Sequence, residues 1–497
     1  MTRLSHAALS GLPADVVVPG YDRAQVKTGV VHLGIGAFHR AHQAVVFDDA
    51  LKSGDPRWGV LGASLRSPGV RDQLNPQDGL YTLVVRDGTE EHLRVIGAGR
   101  GVRVGPEDPA ALVAAMADAD VHIVTLTVTE KGYRLDPATG DLLLDDPDVA
   151  ADLADIASPR TAPGFIVAAL RARKAAGLKP FTVISCDNLP HNGKRIRAGV
   201  LAMARRIDPS LADWIEARGA FPQTMIDRIV PATIPDDIAR LTARLGVEDQ
   251  GMVKAEPFTQ WVIEDRFAGE RPDFASLGVQ LTDAVEPWED AKLRLLNGAH
   301  SAVAYLGALS GHEHVHEAIA VPAFRAYVEA LWDEAQTTLN PPPGLDIPAY
   351  RAELMARFSN SALMHRTRQI AMDGSQKLPQ RLLAGAAERL AAGPDSKGMG
   401  IDAIALGVAA WMKWQSGVTE SGETFVVDDP LAAKTAELLA GADTDQARVS
   451  ALLTLSAVFP PALAADDRFA VAITGAYLSL SRNGAVEAAR QVVDGQD

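Results

Sequence analysis

Cysteine is nearly missing from this sequence: Cys186 is the only one in 497 residues. An intrachain disulfide is therefore excluded, which fits a reducing, cytoplasmic setting. Long apolar runs are also missing. No window approaches the ~18 uninterrupted apolar residues of a membrane helix, so no membrane association is expected. The stretch Ile404–Met412, held between Asp402 and Lys413, predicts a buried core helix instead. Positive charge is short as well, with 48 Lys and Arg against 63 Asp and Glu and a net charge of −15. Nucleic-acid backbones require a basic face, so no nucleic-acid partner is expected. An anionic small molecule stays possible, because a few cations can override the net field inside a cleft. Met1–Gly20 has no basic segment leading into an apolar stretch, which predicts no signal peptide.

What is present is an ordinary globular mix, 47% apolar and 22% charged. The first half alternates strand-like and helix-like segments. Gly29–Gly34 reads as a strand entering a glycine turn, Ala41–Lys52 as a helix and Trp58–Leu65 as a second strand. Tyr81–Arg86 and Leu93–Ile96 read as an antiparallel addition, Asp108–Ala117 as a helix and Val121–Val128 as a strong strand. Gly164–Ala176 and Phe181–Ser185 follow as helix and strand. This alternation predicts a doubly wound, mainly parallel α/β sheet of Rossmann type over residues 1–285. The pattern changes near Val285-Glu-Pro287. Residues 286–497 are Ala- and Leu-rich with helical spacing, as in Arg381–Leu390 and Val449–Val458, which predicts an all-α second domain.

His32-Leu-Gly-Ile-Gly-Ala-Phe-His39 carries the first chemical signal. A strand ending in Gly-x-Gly lets backbone approach a pyrophosphate, which makes Gly34, Ile35, Gly36, Ala37, Phe38 and His39 candidate cofactor contacts. The fingerprint's third small residue is replaced by His39. An acid that would read the ribose is also missing after the second strand, where Ala63-Ser-Leu-Arg66 stands. Arg66 suits a 2′-phosphate or an adenine face, so NAD and NADP are both open. His39 and His42 are three apart, but no further ligands complete a metal set, and no metal is expected.

Six segments in order resemble one family. They are Gly34-Ile-Gly-Ala-Phe-His-Arg-Ala-His-Gln43, Thr127-Val-Thr-Glu-Lys-Gly-Tyr133 and Ser185-Cys-Asp-Asn-Leu-Pro-His-Asn-Gly193. Met225-Ile-Asp-Arg-Ile-Val-Pro231, Lys292-Leu-Arg-Leu-Leu-Asn-Gly-Ala-His300 and Ala371–Arg381 complete the set. The chain resembles the long-chain mannitol dehydrogenases, metal-independent polyol and sugar-acid oxidoreductases. Glu256–Asp265, His365-Arg366 and the segment through Arg381 are most like its fructuronate reductase branch, whereas Ser185–Gly193 reads equally well as the mannitol 2-dehydrogenase branch.

The resemblance implies an NAD cofactor and a sugar acid or polyol substrate, with D-fructuronate and D-mannonate the expected pair. It makes Lys292 the general acid/base, Asn188 and Asn297 donors to the substrate oxygen, and His300 the orienting group. Amides suit that task, since they donate hydrogen bonds without surrendering a proton. At about 100° per residue, Lys292, Asn297 and His300 fall at about 0°, 140° and 80° on a helix, within one broad face. Alone, each would read as a solvated surface group. Thr129 and Glu130 are candidate nicotinamide or ribose contacts, or a strand-end cap. Asp227 and Arg228 either form a structural ion pair or line the substrate cleft. A substrate carboxylate would want an Arg or Lys clamp, for which Arg366 ranks first, with Lys377 and Arg381 behind it. A redox sensor without turnover is the non-enzymatic alternative. Monomer and dimer are both open.

Overall fold

The computed structural model describes residues 2–136, 139–392 and 400–495. Two compact units divide the chain, Met1–Glu286 and Pro287–Asp497. Eleven strands form among the described residues, all in the first unit. In chain order they are β1 (Thr28–Leu33), β2 (Gly59–Ser64), β3 (Tyr81–Asp87), β4 (Glu90–Ile96), β5 (Gly99–Val104) and β6 (Ile123–Leu126). Then come β7 (Thr182–Ser185), β8 (Thr224–Asp227), β9 (Val253–Ala255), β10 (Gln260–Glu264) and β11 (Gln280–Thr282).

The main sheet has the order β5-β2-β1-β6-β7, and every pairing in it is parallel. Its strands are apolar on both faces because helices cover both. Val31 and Leu33 of β1, with Val124 and Val183, pack on the side of the helices Pro109–Ala117, Ala162–Ala175 and Asn192–Ile207. Val30, Ile123 and Ile184 face the other way, toward Phe47 and Leu51 of the helix Gln43–Lys52. This is the period of two expected of a strand. Beyond β7 the sheet ends in a single parallel bridge from Thr182 to Ala220.

Tyr81–Asp87 and Glu90–Ile96 do pair antiparallel, but they form a separate three-stranded sheet with β9 rather than extending the main one. The helix expected from Ala41 starts earlier and breaks at His42, whose φ of −128° and ψ of −87° are not helical. Strands β8 to β11 were not anticipated, since runs of three to five residues carry too little periodicity.

The second unit is helical among its described residues. At its centre, the helix Asp402–Trp414 is buried on nearly every side, as the apolar run predicts. It packs against the helices Ala299–Leu309 and Asp467–Asn483. Its N-terminus is capped from a distance, because the Glu334 carboxylate accepts from the Ala403 and Ile404 N–H groups at 2.8 and 2.9 Å. The helix expected over Val449–Val458 stops at Leu453. No helix among the described residues is long and apolar enough to cross a membrane.

Candidate active site

In the first unit, the carboxyl ends of β1, β2 and β6 border a cleft of about 570 Å³. Strand order reverses direction here, at β1, which is where open α/β sheets bind ligands. Gly34 has φ +94°, and a Cβ there would stand 2.1 Å from the Thr127 carbonyl oxygen. Only glycine lets the end of β1 pass the end of β6 this closely. Gly36 is glycine for a different reason. A Cβ on it would meet nothing nearer than the Gly34 oxygen at 3.8 Å, so its backbone faces open cleft.

Gly34, Ile35, Gly36, Arg66 and Thr129 line this cleft, whereas Ala37, Phe38, His39 and Glu130 do not. His39 is fully buried, its ring stacked on that of His32 with centroids 3.5 Å apart and planes 13° off parallel. A flat imidazole thus fills the slot of the usual third small residue, which removes His39 from the phosphate-contacting set. Arg40 is equally committed, since it donates to the Gly36 and Gly251 carbonyls and lies over the Tyr81 ring. Phe38 stacks on His42 instead of facing the cleft. Lys131, Arg134 and Arg160 supply cations at the cleft that sequence spacing did not reveal. Arg134 is paired with Asp146 and Asp148, and the Arg160 guanidinium lies 3.9 Å from Asp148. An open glycine backbone beside Arg66 and Lys131 fits the pyrophosphate and ribose of a dinucleotide.

The ends of β6 and β7 are tied by Asp187, which sequence reasoning passed over. Its buried carboxylate accepts from the N–H groups of Val128 and Thr129 at 3.1 and 2.9 Å and from the Tyr133 hydroxyl at 2.9 Å. These bonds hold Thr129 at φ +64°, a costly conformation for a β-branched residue. Asn188, the next residue, is exposed at the same sheet edge. Burial pushes the Asp187 carboxyl above its ordinary range, opposed by those hydrogen bonds.

Lys292, Asn297 and His300 do not lie on an ordinary helix. Residues Lys292–Gly298 form a π-helix that runs directly into the helix Ala299–Leu309. Hydrogen bonds from i to i+5 widen the turn, so the 100° wheel fails there. Five residues apart, Lys292 and Asn297 lie far apart around an α-helix, whereas the wide turn makes them successive members of one backbone ladder. The widened turn is held from outside. Trp332 Nε1 donates to the Leu295 carbonyl at 2.7 Å, and Arg294 donates to Glu388 and to the Thr338 carbonyl. A second π segment, Pro379–Leu383, packs against the first. Gly298 permits that approach, since a Cβ there would stand 2.9 Å from the Arg381 carbonyl oxygen. Lys292 is 6% exposed.

His300 stacks on Phe358 with centroids 5.3 Å apart and stands 4.9 Å from the His365 ring. Burial, then the positive charges of His365, Arg381, Arg357 and Lys377, hold its pKa well below the usual imidazole value. Arg381 donates to Ser301 Oγ at 2.9 Å and to the Asn297 carbonyl at 3.5 Å. Among the described residues no carboxylate pairs with it, and burial pulls its guanidinium down to about 10.

The other proposed substrate groups fare differently. Arg366, ranked first as a carboxylate clamp, has a side chain 67% exposed beside Glu313 at 3.6 Å, whereas Arg381 is only partly exposed and lies close to His300. Lys377 donates to the Ile370 and Met372 carbonyls and is a neighbour of Arg381 rather than a free clamp. Arg228 directs its guanidinium at the Glu256 and Ala41 carbonyls, which makes it a brace between segments and not a substrate contact. Asp227 is buried at the end of β8. Among the described residues no cluster of three or more His, Cys, Asp or Glu could hold a metal. His42, half of the conceivable pair, contacts the Gln260 carbonyl at 2.9 Å.

The buried imidazoles set a pH dependence. Burial lowers His32 to about 3 and holds His39 well down, with the charges of His32 and Arg40 assisting at His39. Each takes up a proton more readily unfolded, near pH 6.5, than folded. Below about pH 6.5 the unfolded chain binds more protons, so stability falls as pH drops from there toward 3. Melting temperature should decline between pH 7 and 5, with a shallower slope in His39→Leu. An unchanged slope in that variant would show that His39 takes no part.

A family model described as the mannitol dehydrogenase Rossmann domain matches residues 28–276, and one for the mannitol dehydrogenase C-terminal domain matches 284–481. The chain is 44% identical over 487 residues to a D-mannonate oxidoreductase of Escherichia coli, covering 96% of this chain and 98% of that one. It is 42% identical to a mannitol 2-dehydrogenase of Phaeosphaeria nodorum, over 95% and 82% of the two chains. The solved Pseudomonas fluorescens mannitol 2-dehydrogenase, a ternary complex with NAD and D-mannitol, is 37% identical. It aligns with a TM-score of 0.83 over 99% of this chain and 100% of that one. With both domains matched in order along most of its length, this chain belongs to the mannitol dehydrogenase family of oxidoreductases.

Proposed function

We propose that the protein is an NAD(H)-dependent reductase of a keto sugar acid, converting D-fructuronate to D-mannonate, with Lys292 rather than a metal handling the proton. The observation that carries the sugar-acid reading is Arg381: a partly buried, desolvated guanidinium, near His300, with no carboxylate partner among the described residues. A buried cation without a counter-charge is costly, and a substrate carboxylate would supply one.

The nicotinamide ring of bound NADH supplies the hydride that adds to the carbonyl carbon. Gly34 and Gly36 take the phosphates and Arg66 reads the ribose, a reading supported by their lining one cleft. Lys292 gives its proton to the substrate oxygen as charge develops there, and takes it back in the oxidation direction. Asn188 and Asn297 donate hydrogen bonds to that oxygen. The neutral His300 ring orients the substrate through a ring nitrogen, and Arg381 fixes the carboxylate end. The likeness to an E. coli D-mannonate oxidoreductase supports this reading. The likeness to mannitol 2-dehydrogenases supports the rival one, fructose and mannitol.

The test is a panel of D-fructuronate and D-fructose, each with NADH and NADPH. D-fructuronate with NADH should give the highest kcat/KM. Turnover of fructose without fructuronate would overturn the sugar-acid assignment. Because no carboxylate lines the cleft at residues 64–67, measurable NADPH use is also expected.

A further inference from the structure

A cavity of about 730 Å³ lies within the helical unit and is lined by none of the residues assigned above. The end of the central helix, the loop Gln415–Glu420 and the helices Ala432–Ala440, Asp445–Leu453 and Asp467–Asn483 build it. One side is crowded with hydrogen-bond donors. Lys413 Nζ donates to Ser481 Oγ at 3.0 Å and lies 5.4 Å from the Tyr477 ring centroid. Among the described residues no carboxylate lies within ion-pair distance of it. Arg448 pairs through Nη1 with Asp445 at 3.0 Å, which leaves the rest of its fork. Also in the wall, Gln415 Nε2 is buried without a hydrogen-bond partner, and the buried Tyr477 hydroxyl makes no well-formed hydrogen bond but has the Arg448 guanidinium beside it. The Gln415 oxygen is taken by Thr435 Oγ1 at 3.0 Å, which fixes the amide with its donor end unfilled. Leu309, Val418, Leu439 and Leu480 supply an apolar wall.

We propose that this cavity is a second ligand site, which takes a small organic monocarboxylate. Surplus donors call for an acceptor-rich group, and a carboxylate offers acceptors without donors. The charge balance selects a single negative charge. Arg448 is already paired, so among the described residues that line the cavity Lys413 is the one cation left to neutralise. Glu420, at the rim, caps Ala485 N–H at 2.5 Å and would repel a dianion. The apolar wall accommodates the organic body. The site also touches the helix Ala299–Leu309 at its far end, where Glu420 N–H donates to the Leu309 carbonyl at 2.9 Å.

The experiment is equilibrium dialysis of the full-length chain against labelled benzoate, D-gluconate and inorganic phosphate, repeated with Lys413→Met and Tyr477→Phe. Tyr477→Phe keeps the ring and removes a hydroxyl that makes no well-formed hydrogen bond, so its fold should persist. One carboxylate equivalent should bind, benzoate or gluconate according to whether the body is apolar or hydroxylated. Lys413→Met should weaken it at least tenfold and Tyr477→Phe several-fold, with substrate turnover unchanged in both. Equal binding in wild type and Lys413→Met would overturn the proposal. So would binding of phosphate but neither carboxylate, binding of nothing, or loss of turnover together with carboxylate binding, which would place the ligand in the substrate site.

Discussion

Replacing Lys292 with alanine should lower turnover by about 10³-fold while NADH binding stays within about twofold, since a positioned acid/base contributes roughly 10²–10⁴-fold. Lys292 is 6% exposed and is the first residue of a π turn, so its backbone is set by bonds its side chain does not itself supply. Trp332 and Arg294 hold that turn through their own donors, and alanine leaves them in place. Steady-state rates and a fluorescence titration of NADH separate the outcomes. Normal turnover would remove Lys292 from the mechanism. Loss of NADH binding together with turnover would assign it to the fold or to cofactor holding. Lys292→Met, with its melting temperature measured alongside, distinguishes those two.

Arg381→Met should cost about 10²-fold or more in kcat/KM for D-fructuronate and much less for D-fructose. Stranding a buried carboxylate without its charged partner costs about 3–5 kcal/mol, and part of that loss reaches the transition state. Methionine keeps most of the volume, and the neutral side chain relieves the desolvation that draws Arg381 down to about 10. The melting temperature should therefore change little, even though the bonds to Ser301 and Asn297 are lost. An equal loss for both substrates would reassign Arg381 to bracing the π turn. Arg366→Met, on an exposed side chain beside Glu313, should leave both substrates nearly unaffected.

The contrast between those two arginines shows how far the sequence could be read. Type and spacing mark Arg366, Lys377 and Arg381 as possible clamps but do not say which of them is exposed. That depends on which guanidinium folds inward, and Arg381, in the second π segment at Pro379–Leu383, is the one that reaches Ser301 and the Asn297 carbonyl. π-helical turns leave no periodicity signal, because Lys292–His300 reads equally well at 3.6 residues per turn. His39 gives a similar lesson. Its departure from the glycine fingerprint is plain in the sequence, but its stacking on His32 is not.

By itself the sequence determined the layered α/β unit followed by helices, the glycine turn and the central apolar helix. These rest on local periodicity and on glycine's freedom at one turn, which neighbours in the chain decide. Tertiary structure alone decided that Asp187 clamps Thr129, that Arg40 and Arg228 are braces, and that Arg381 rather than Arg366 turns inward. Each of these depends on partners tens to hundreds of residues away, and on the burial that makes an unpaired charge or strained backbone tolerable only where the rest of the fold holds it.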